Sequence, residues 1–351
     1  MRALSLALVL CLASLTTAAH AQDAHAVALL YHRFGETHYP TTDVTLAQFE
    51  AHLDYLSTHG YTVWPLQRIV DHLRQNKPMP DKTVAITIDD AYQSVYTQAY
   101  PRLKARGWPF TVFVSTDAVD RHFSSFMTWD EMREMRKHGV TFASHTATHA
   151  HLLVHLANED QQAWRERVRQ DIEKGHERLK QELGTTSMLF AYPYGEYNTA
   201  LADLVAKMGF VGFGQQSGAL GHDSDMRALP RFPMADSYAA MDEFKRKVAS
   251  LPFPVLGYTP WDPELGADNL RPRLEVTLGP TKARLNELVC YVSGQGAVPV
   301  VWEEKYTRFT VQAPQALPVG RSRYNCTAPN QSRSRYYWFS QQWIHMPGGQ
   351  D

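Results

Sequence analysis

The sequence has no excess of charge of either sign, because 35 lysine and arginine residues against 36 aspartate and glutamate residues give a formal net charge of -1. A nucleic-acid-binding protein normally has a clear basic excess, so this balance argues against a nucleic-acid partner. The sequence also has no internal repeat, no low-complexity segment and no redox-cofactor motif. Its 351 residues, 44% of them hydrophobic, provide enough core for one large and one smaller domain.

Long apolar runs are absent beyond the first twenty or so residues, and nothing there is typical of a transmembrane helix. The apolar stretch at the start, ALSLALVLCLASL, follows Arg2, and AHA precedes Gln22. A basic residue, a short apolar stretch and a small-residue cleavage site are typical of a signal peptide, whereas a first buried helix is the less favoured alternative. We therefore predict a signal peptide at 1–21 and export to the periplasm or outside the cell.

Cysteine is scarce, with three residues in the whole sequence. Cys11 lies in the predicted signal peptide, which leaves Cys290 and Cys326 in the mature chain. An even pair in an oxidising compartment predicts one disulfide, and two buried free thiols are the alternative.

Residues 24 to about 250 alternate β-like apolar runs with amphipathic helical patterns. The six runs are AVALLYH, TVAITIDD, PFTVFVST, VTFASH, SMLFAYP and GFVGFG. Several amphipathic stretches end in glycine, and Thr128 with Glu131 predicts a capping box at the start of one helix. This alternation predicts an α/β fold with a parallel sheet, either flat or closed into a barrel.

Four prolines between Pro252 and Pro263 interrupt this pattern. Short β-branched or aromatic runs follow, which predicts a small antiparallel β-sandwich. We therefore predict a first domain at 22–250, a Pro-rich linker at 251–263 and a C-terminal β domain at 264–351. The aromatic run RYYWFSQQWI could stack on sugar rings, but alternation between the sandwich core and the first domain is favoured.

Reactive or unusual residues stand at the ends of five predicted strands. They are His32 in LLYH, Asp89 and Asp90 in ITIDD, His145 and His149 in FASHTATH, Tyr194 and Gly195 in FAYPYG, and Arg231 in LPRF. Because the carboxyl ends of parallel strands meet at one edge of a sheet or barrel, we expect these side chains to converge.

The His-x-x-x-His spacing of His145 and His149 predicts two imidazoles on one face of a helical turn, a common way to bind a metal. With sixteen histidines in the sequence, such a pair can also arise by chance, so a third ligand is needed. Asp89 and Asp90 can supply it, because a shared cation offsets the repulsion between neighbouring carboxylates and leaves one free as a base. The alternative is that Asp90 caps the next helix. Two histidines and a carboxylate suit zinc with a water or iron for oxygen chemistry, and the free carboxylate favours hydrolysis.

The motifs TIDD, SHTATH and YPYG resemble, in this order, the first three motifs of the NodB-homology polysaccharide deacetylases, the family-4 carbohydrate esterases. The resemblance covers roughly residues 24 to 250. It is closest to the branch that de-N-acetylates poly-β-1,6-N-acetylglucosamine, which also carries an early YH motif and YPYG. It implies a distorted (β/α)7-type barrel and a metal-dependent hydrolase that removes acetyl groups from an N-acetylated polysaccharide.

The resemblance also implies a role for each motif residue. Asp89 would be the general base, and a backbone N–H near Tyr194 would stabilise the oxyanion. The implied ligands of a divalent metal, zinc by default with cobalt or nickel as alternatives, are Asp90, His145 and His149. The residues expected to line the substrate groove are Tyr194, Gly195, Trp129 and Asp43.

The sequence departs from the family pattern in two places. Ala191 stands where many relatives carry an arginine that orients the base, so we expect Arg231 to orient Asp89 instead of forming an ordinary surface salt bridge. No late Leu-x-His motif occurs between 210 and 250, which assigns the general acid to His32, as in the poly-N-acetylglucosamine branch. The alternative for His32 is a buried core histidine.

Other classes of function explain the residues less well. A glycoside hydrolase needs two carboxylates roughly 5 to 9.5 Å apart across a sugar, and this reading leaves both histidines unexplained. A non-catalytic glycan-binding protein derived from this fold has only the missing arginine in its favour. An esterase acting on O-acetyl groups of an exopolysaccharide stays open, as do the identity and linkage of the polymer.

Overall fold

The computed structural model describes residues 24–184 and 187–346. The predicted signal peptide at 1–21, including Cys11, lies outside the described residues. Strands of the first part of the chain are β1 (His25–Tyr31), β2 (Arg33–Phe34), β3 (Asp43–Val44), β4 (Thr62–Val63), β5 (Thr83–Asp89), β6 (Thr111–Val114), β7 (Thr141–Ser144), β8 (Leu189–Ala191), β9 (Val211–Phe213), β10 (Leu220–Gly221) and β11 (Phe232–Pro233). Helices are α1 (Leu46–Thr58), α2 (Leu66–Arg74), α3 (Tyr100–Ala105), α4 (Thr116–Asp120), α5 (Trp129–Arg136), α6 (Gln161–Leu183), α7 (Thr199–Lys207) and α8 (Met241–Val248).

The six predicted strand runs form a parallel sheet in the order β1, β5, β6, β7, β8, β9. Strand β5 is buried along its whole length, so its alternate residues enter two different cores. Ile86 and Ile88 pack in the cluster that contains buried residues of α1, α3 and α5. Ala85 packs with small and aromatic residues on the opposite face, and Asp89 shares that face because it follows Ala85 by four residues.

The two edges of this sheet are linked through the segment between Leu229 and Pro233. Leu229 bridges to Phe213 of β9, and β11, which begins three residues later at Phe232, pairs with β1. Strand β10 adds an antiparallel pair at the start of β1. The sheet therefore curls into the distorted barrel that the sequence predicted, with helices packed against its outer face.

The C-terminal part of the chain is a β-sandwich. Its strands are β12 (Leu251–Pro252), β13 (Val255–Thr259), β14 (Arg273–Leu278), β15 (Val289–Val292), β16 (Gly296–Val298), β17 (Val301–Glu304), β18 (Arg308–Gln312), β19 (Gly320–Pro329) and β20 (Tyr336–His345). One sheet has the order β12-β20-β19-β15-β16 and the other β13-β14-β18-β17. Strands β12 and β13 fall inside the segment predicted as a linker, so that segment contributes one strand to each sheet.

Cys290 and Cys326 form the predicted disulfide, with an S–S distance of 2.00 Å. They lie directly opposite each other on the antiparallel strands β15 and β19, so the bridge lies within one sheet.

The β19–β20 ribbon has two apolar faces. Tyr337, Phe339 and Trp343 of β20 pack with the sandwich core. The alternate residues face the barrel, because Trp338 packs against Phe232 at 5.1 Å between ring centroids and Ile344 joins a barrel-side cluster. This arrangement matches the favoured interpretation of the aromatic run. Within the described residues, no helix is long and apolar enough to cross a membrane.

Candidate active site

Three side chains predicted as metal ligands come together just beyond the ends of β5 and β7. Asp90 is the first residue after β5, and His145 is the first after β7. The helical turn expected for His145 and His149 is absent, because Thr146 and His149 have left-handed backbone φ values of 68° and 58°. A non-helical loop therefore brings the two imidazoles together, at 4.8 Å between ring centroids.

The three side chains point one ligand atom each at a common centre. Nε2 of His149 lies 3.0 Å and Nε2 of His145 lies 3.4 Å from Oδ1 of Asp90. One ligand atom from each residue lies within 4.8 Å of the others. His145 uses Nδ1 to contact the Ala191 carbonyl oxygen at 2.7 Å, which makes Nδ1 the donor and leaves a lone pair on Nε2.

The polar surroundings of Asp90 fit a cation. Its Oδ1 is buried and accepts no hydrogen bond of acceptable geometry within the described chain. Burial opposes ionisation of Asp90, but its contacts with His145 and His149 outweigh burial and hold the pKa of the carboxyl well below its usual value. Two imidazole nitrogens and one carboxylate oxygen form a donor set suited to a divalent transition metal. The Asp90 carboxylate therefore contacts two imidazoles, whereas a helix-capping carboxylate would accept hydrogen bonds from backbone N–H groups.

Asp89 points into the barrel and is anchored by Arg231. The guanidinium donates from Nη1 and Nη2 to the two carboxylate oxygens, at 2.6 and 2.8 Å, and neither side chain is exposed to solvent. Burial raises the pKa of Asp89, but the charge and hydrogen bonds of Arg231, together with the nearby imidazoles of His145 and His32, outweigh burial and the net shift is downward. Arg231 thus occupies the place that the sequence analysis predicted for it, held further by the Gly214 carbonyl at 3.0 Å.

His32 directly follows β1 and is partly buried. Burial lowers the pKa of its imidazole, while the charges of Asp90 and Asp89 act in the opposite direction. The structure therefore places His32 in the electrostatic field of both carboxylates, as convergence of the strand ends predicted.

The turn Pro193–Gly195 brings Tyr194 to the same centre. Its ring lies 4.6 Å from that of His149 and stacks on His151 at 3.8 Å. Within the turn, the Gly195 N–H donates to the Tyr192 carbonyl and the Glu196 N–H to that of Pro193. Proline has no N–H, so Tyr194 supplies the one amide of the turn left for another acceptor.

Backbone strain is concentrated around this centre. Of the twelve described non-glycine residues with positive φ, five belong to the site loops: Asp90, Ala91, Thr146, His149 and Tyr194. Such conformations cost free energy and persist where the surrounding structure imposes them, a situation common at functional sites. None of these five positions is a glycine, so the sequence carried no indication of a left-handed backbone there.

Two residues predicted to line the groove are buried in other surroundings. Asp43 is 6% exposed and accepts a hydrogen bond from the Glu36 N–H at 2.8 Å, which holds the loop after His32. Trp129 is 7% exposed, lies in the hydrophobic core and donates from its indole N–H to Asp120 at 2.8 Å. Contacts within the fold account for both side chains.

The sequence analysis missed several neighbours of the site. Thr87 lies within 3.3 Å of Arg231, and the two-residue period of β5 could have placed it beside Asp89. His151 is another such neighbour, and it pairs with Glu196 at 2.7 Å. The side chains that reach the site from the C-terminal sandwich gave no local signal in the sequence.

Comparison with known proteins agrees with this arrangement. A family model described as polysaccharide deacetylase matches residues 76–213. The putative polysaccharide deacetylase YxkH of Bacillus subtilis (strain 168) is 30% identical over 204 residues, covering 58% of this chain and 69% of that protein. The poly-beta-1,6-N-acetyl-D-glucosamine N-deacetylase of Escherichia coli (strain K12) is 29% identical over 232 residues, covering 56% of this chain and 34% of that protein. The match thus spans about a third of the length of the E. coli relative.

A solved structure shares the barrel. The Streptococcus pyogenes deacetylase PplD, in complex with acetate, matches with a TM-score of 0.58 and 21% identity, covering 65% of this chain and 99% of that chain. The chain belongs to the polysaccharide deacetylase family. The family resemblance carried by the motifs and the fold that it implied are thereby confirmed.

Proposed function

We propose that the protein is a metal-dependent hydrolase that removes acetyl groups from an N-acetylated amino-sugar polysaccharide. The observation that carries this proposal is the convergence of Asp90, His145 and His149 beside a buried carboxylate, Asp89, that Arg231 holds by two hydrogen bonds. The names of the curated relatives support the substrate class. The predicted signal peptide supports action outside the cytoplasm.

Asp90, His145 and His149 would hold the divalent metal, with zinc as the default and cobalt or nickel as alternatives. Such an ion supplies a Lewis acid for water and for the acetyl carbonyl. The Nδ1–H of His145, bonded to the Ala191 carbonyl, keeps the imidazole in the tautomer that presents a lone pair.

Four further residues act on protons or on charge during the reaction. The Asp89 carboxylate accepts the proton of the attacking water, and Arg231 keeps this carboxylate ionised and aimed. The Tyr194 N–H donates to the oxygen that gains charge as the acetyl carbon becomes tetrahedral. His32 donates a proton to the glucosamine nitrogen as it leaves. Burial lowers the pKa of this imidazole overall, and the charges of Asp90 and Asp89 offset part of that shift.

The structure argues against the glycoside hydrolase alternative. That mechanism requires a protonated carboxylic acid and a second free carboxylate. Here the Asp89 carboxylate is paired on both oxygens with Arg231, and Asp90 contacts two imidazoles. Neither carboxyl group is set up to act as an acid.

Two isosteric variants test the proposal. Asp89→Asn should lower kcat for acetate release from acetylated glucosamine oligomers about 100-fold or more while the protein still binds zinc, because the base is lost and the three proposed metal ligands remain. Asp90→Asn should lose both acetate release and zinc, because a ligand is lost. Metal content by mass spectrometry and acetate release before and after chelation are the measurements.

The substrates should include β-1,4 and β-1,6 oligomers and an O-acetylated polymer. Preference among them names the linkage and the acyl group. Wild-type acetate release by Asp89→Asn would contradict the assigned base. Absence of both metal and acetate release in the wild type would favour a glycan-binding protein.

A further inference from the structure

The C-terminal sandwich reaches the turn that carries Tyr194. Arg321 of β19 donates from Nη1 to the Tyr194 carbonyl oxygen, and also to Oε1 of Gln215 at 3.1 Å. Gln342 of β20 donates from Nε2 to the Gly195 carbonyl oxygen at 2.7 Å. Two side chains of one domain therefore hold two successive carbonyl groups in the other.

These two side chains lie on the barrel-facing side of the β19–β20 ribbon. Arg321 pairs with Ile344 and Arg323 pairs with Gln342, so all four residues project from the same face. Ile344 is 1% exposed and packs in the cluster that contains Tyr192. Packing of this face against the barrel thus fixes the ribbon where its polar side chains meet the turn.

Each contact restrains one peptide plane of the turn. The Tyr194 carbonyl shares a plane with the Gly195 N–H, which donates to the Tyr192 carbonyl at 2.8 Å. The Gly195 carbonyl shares a plane with the Glu196 N–H, which donates to the Pro193 carbonyl at 3.1 Å. In each of these two peptide groups, the N–H is therefore bonded within the turn and the carbonyl is bonded by a side chain of the sandwich.

The turn needs this support because its backbone is unfavourable. Tyr194 has φ 59° and ψ 2°, a left-handed conformation that a residue with a Cβ adopts at a cost in free energy. Gln342 is 2% exposed, so its amide is committed to the turn and not to solvent.

We propose that Arg321 and Gln342 are positioning residues, through which the C-terminal sandwich holds the Pro193–Gly195 turn so that the Tyr194 N–H and ring face the site. This inference rests on the proposed deacetylation. It makes the sandwich a part of the catalytic apparatus, whereas a separate carbohydrate-binding module would act only on substrate affinity.

The variants are Arg321→Met and Gln342→Met, which keep much of each side chain's length and remove its donors. Arg321→Lys restores one charged donor and should recover part of the loss. The matched control is Arg335→Met. Arg335 immediately precedes β20, at the end of the ribbon opposite to Arg321 and Gln342. Its guanidinium donates to the Ala249 carbonyl at 2.6 Å and to Asp81 at 2.8 Å, which links the sandwich to the barrel.

The first readout is steady-state kinetics on the preferred acetylated oligomer. Arg321→Met and Gln342→Met should each lower kcat about 10- to 100-fold with KM changed less than about threefold, because a misplaced turn weakens stabilisation of the transition state more than substrate binding. Arg335→Met should leave both constants near the wild-type values. A rise in KM at constant kcat would overturn the proposal and assign these residues to substrate binding.

The second readout does not depend on activity. Hydrogen–deuterium exchange in a peptide covering residues 192–198 should become about fivefold faster or more in Arg321→Met and Gln342→Met, since the Gly195 and Glu196 amides lose support. The same peptide should exchange at the wild-type rate in Arg335→Met. Unchanged exchange in both test variants overturns the inference, whether or not the wild type releases acetate. Faster exchange with no acetate release from the wild type rejects the proposed function and leaves the positioning role intact.

Discussion

Arg231 and Asp89 form a fully buried ion pair in the barrel interior. Taking two charges out of water is costly, and a buried ion left without its partner is costlier still. Arg231→Met should therefore lower the free energy of unfolding by about 3–5 kcal/mol. Urea denaturation of the variant and the wild type measures this change.

Arg227→Met is the matched control. Arg227 also pairs with carboxylates, those of Asp203 and Asp225, but its side chain is 31% exposed. Its loss should cost about 1 kcal/mol or less, because solvent screens the exposed pair. Equal destabilisation by the two variants would contradict the role given to burial.

His52 should make stability depend on pH. Burial of the ring, which is stacked on Phe244, lowers the pKa of its imidazole to about 4 from an ordinary 6.5, although the hydrogen bond to the Ala239 carbonyl acts in the opposite direction. Between these values the unfolded chain binds more protons, so stability falls as the pH drops from about 6.5 to about 4, by up to about 3 kcal/mol. The neutral variant His52→Gln lacks this contribution.

The measurement compares unfolding free energies of wild type and His52→Gln across this pH range. Other groups titrate in both proteins, so the difference between the two curves isolates His52. A difference that does not change with pH would contradict the low pKa in the folded state.

At the scale of elements, two glycines with the same φ of 71° separate conformational strain from crowding. A Cβ at Gly60 would meet nothing within 4 Å, so Gly60→Ala should cost about 1–2 kcal/mol for the left-handed backbone alone. A Cβ at Gly195 would lie 2.7 Å from side-chain carbons of Gln215. Gly195→Ala should therefore be more destabilising and should also displace the Tyr194 turn.

Thermal unfolding of the two alanine variants and acetate release by each measure these effects. Gly60→Ala should keep the wild-type kcat. Similar losses of stability in both variants, or unchanged kcat in Gly195→Ala, would show that Gln215 moves aside.

Regular elements could be predicted where the sequence carries a periodic signal. The run at β5 is apolar on both faces and bounded by polar residues, which identifies a buried parallel strand. Thr128 and Glu131 form the predicted capping box because both partners lie within one turn of helix. The two-residue strands β10 and β11 are too short to show a period, so the segments that close the barrel could not be predicted, although the family resemblance implied a barrel.

The sequence predicted which residues form the candidate metal site, but only part of the backbone geometry that brings them together. Parallel strands guarantee that residues at their carboxyl ends meet, which brought Asp90 and His145 together. The helical turn predicted for His145 and His149 was wrong, because the left-handed residues of that loop are not glycines and gave no signal. Arg231 was found only through the absence of an arginine at Ala191.

At the scale of the whole molecule, the contacts between barrel and sandwich could not be predicted. Arg321 and Gln342 lie 127 and 147 residues from their partners in the turn. Their meeting depends on how one folded unit docks on another, and no local pattern encodes that docking. The alternation of β20 predicted two packed faces, but not which part of the barrel the second face covers.

This docking should make the barrel depend on the sandwich for stability. A chain that ends at residue 250 lacks Trp338, Ile344 and Trp261, which pack in clusters with Phe232 and Tyr197. Loss of these large apolar contacts should destabilise the barrel by about 3 kcal/mol or more. Thermal unfolding of the truncated and full chains checks this expectation, and an unchanged melting temperature would contradict it.

The Asp89–Arg231 pair also has a consequence for the order of events during synthesis. The two residues are 142 positions apart, so the carboxylate leaves the ribosome long before its guanidinium partner. Until the segment around Arg231 docks, Asp89 lies at the end of β5, between β1 and β6, without its guanidinium partner. The segment that closes the barrel on β1 also completes the charge pair, so a nascent chain that stops before residue 231 has Asp90, His145 and His149 but no guanidinium beside Asp89.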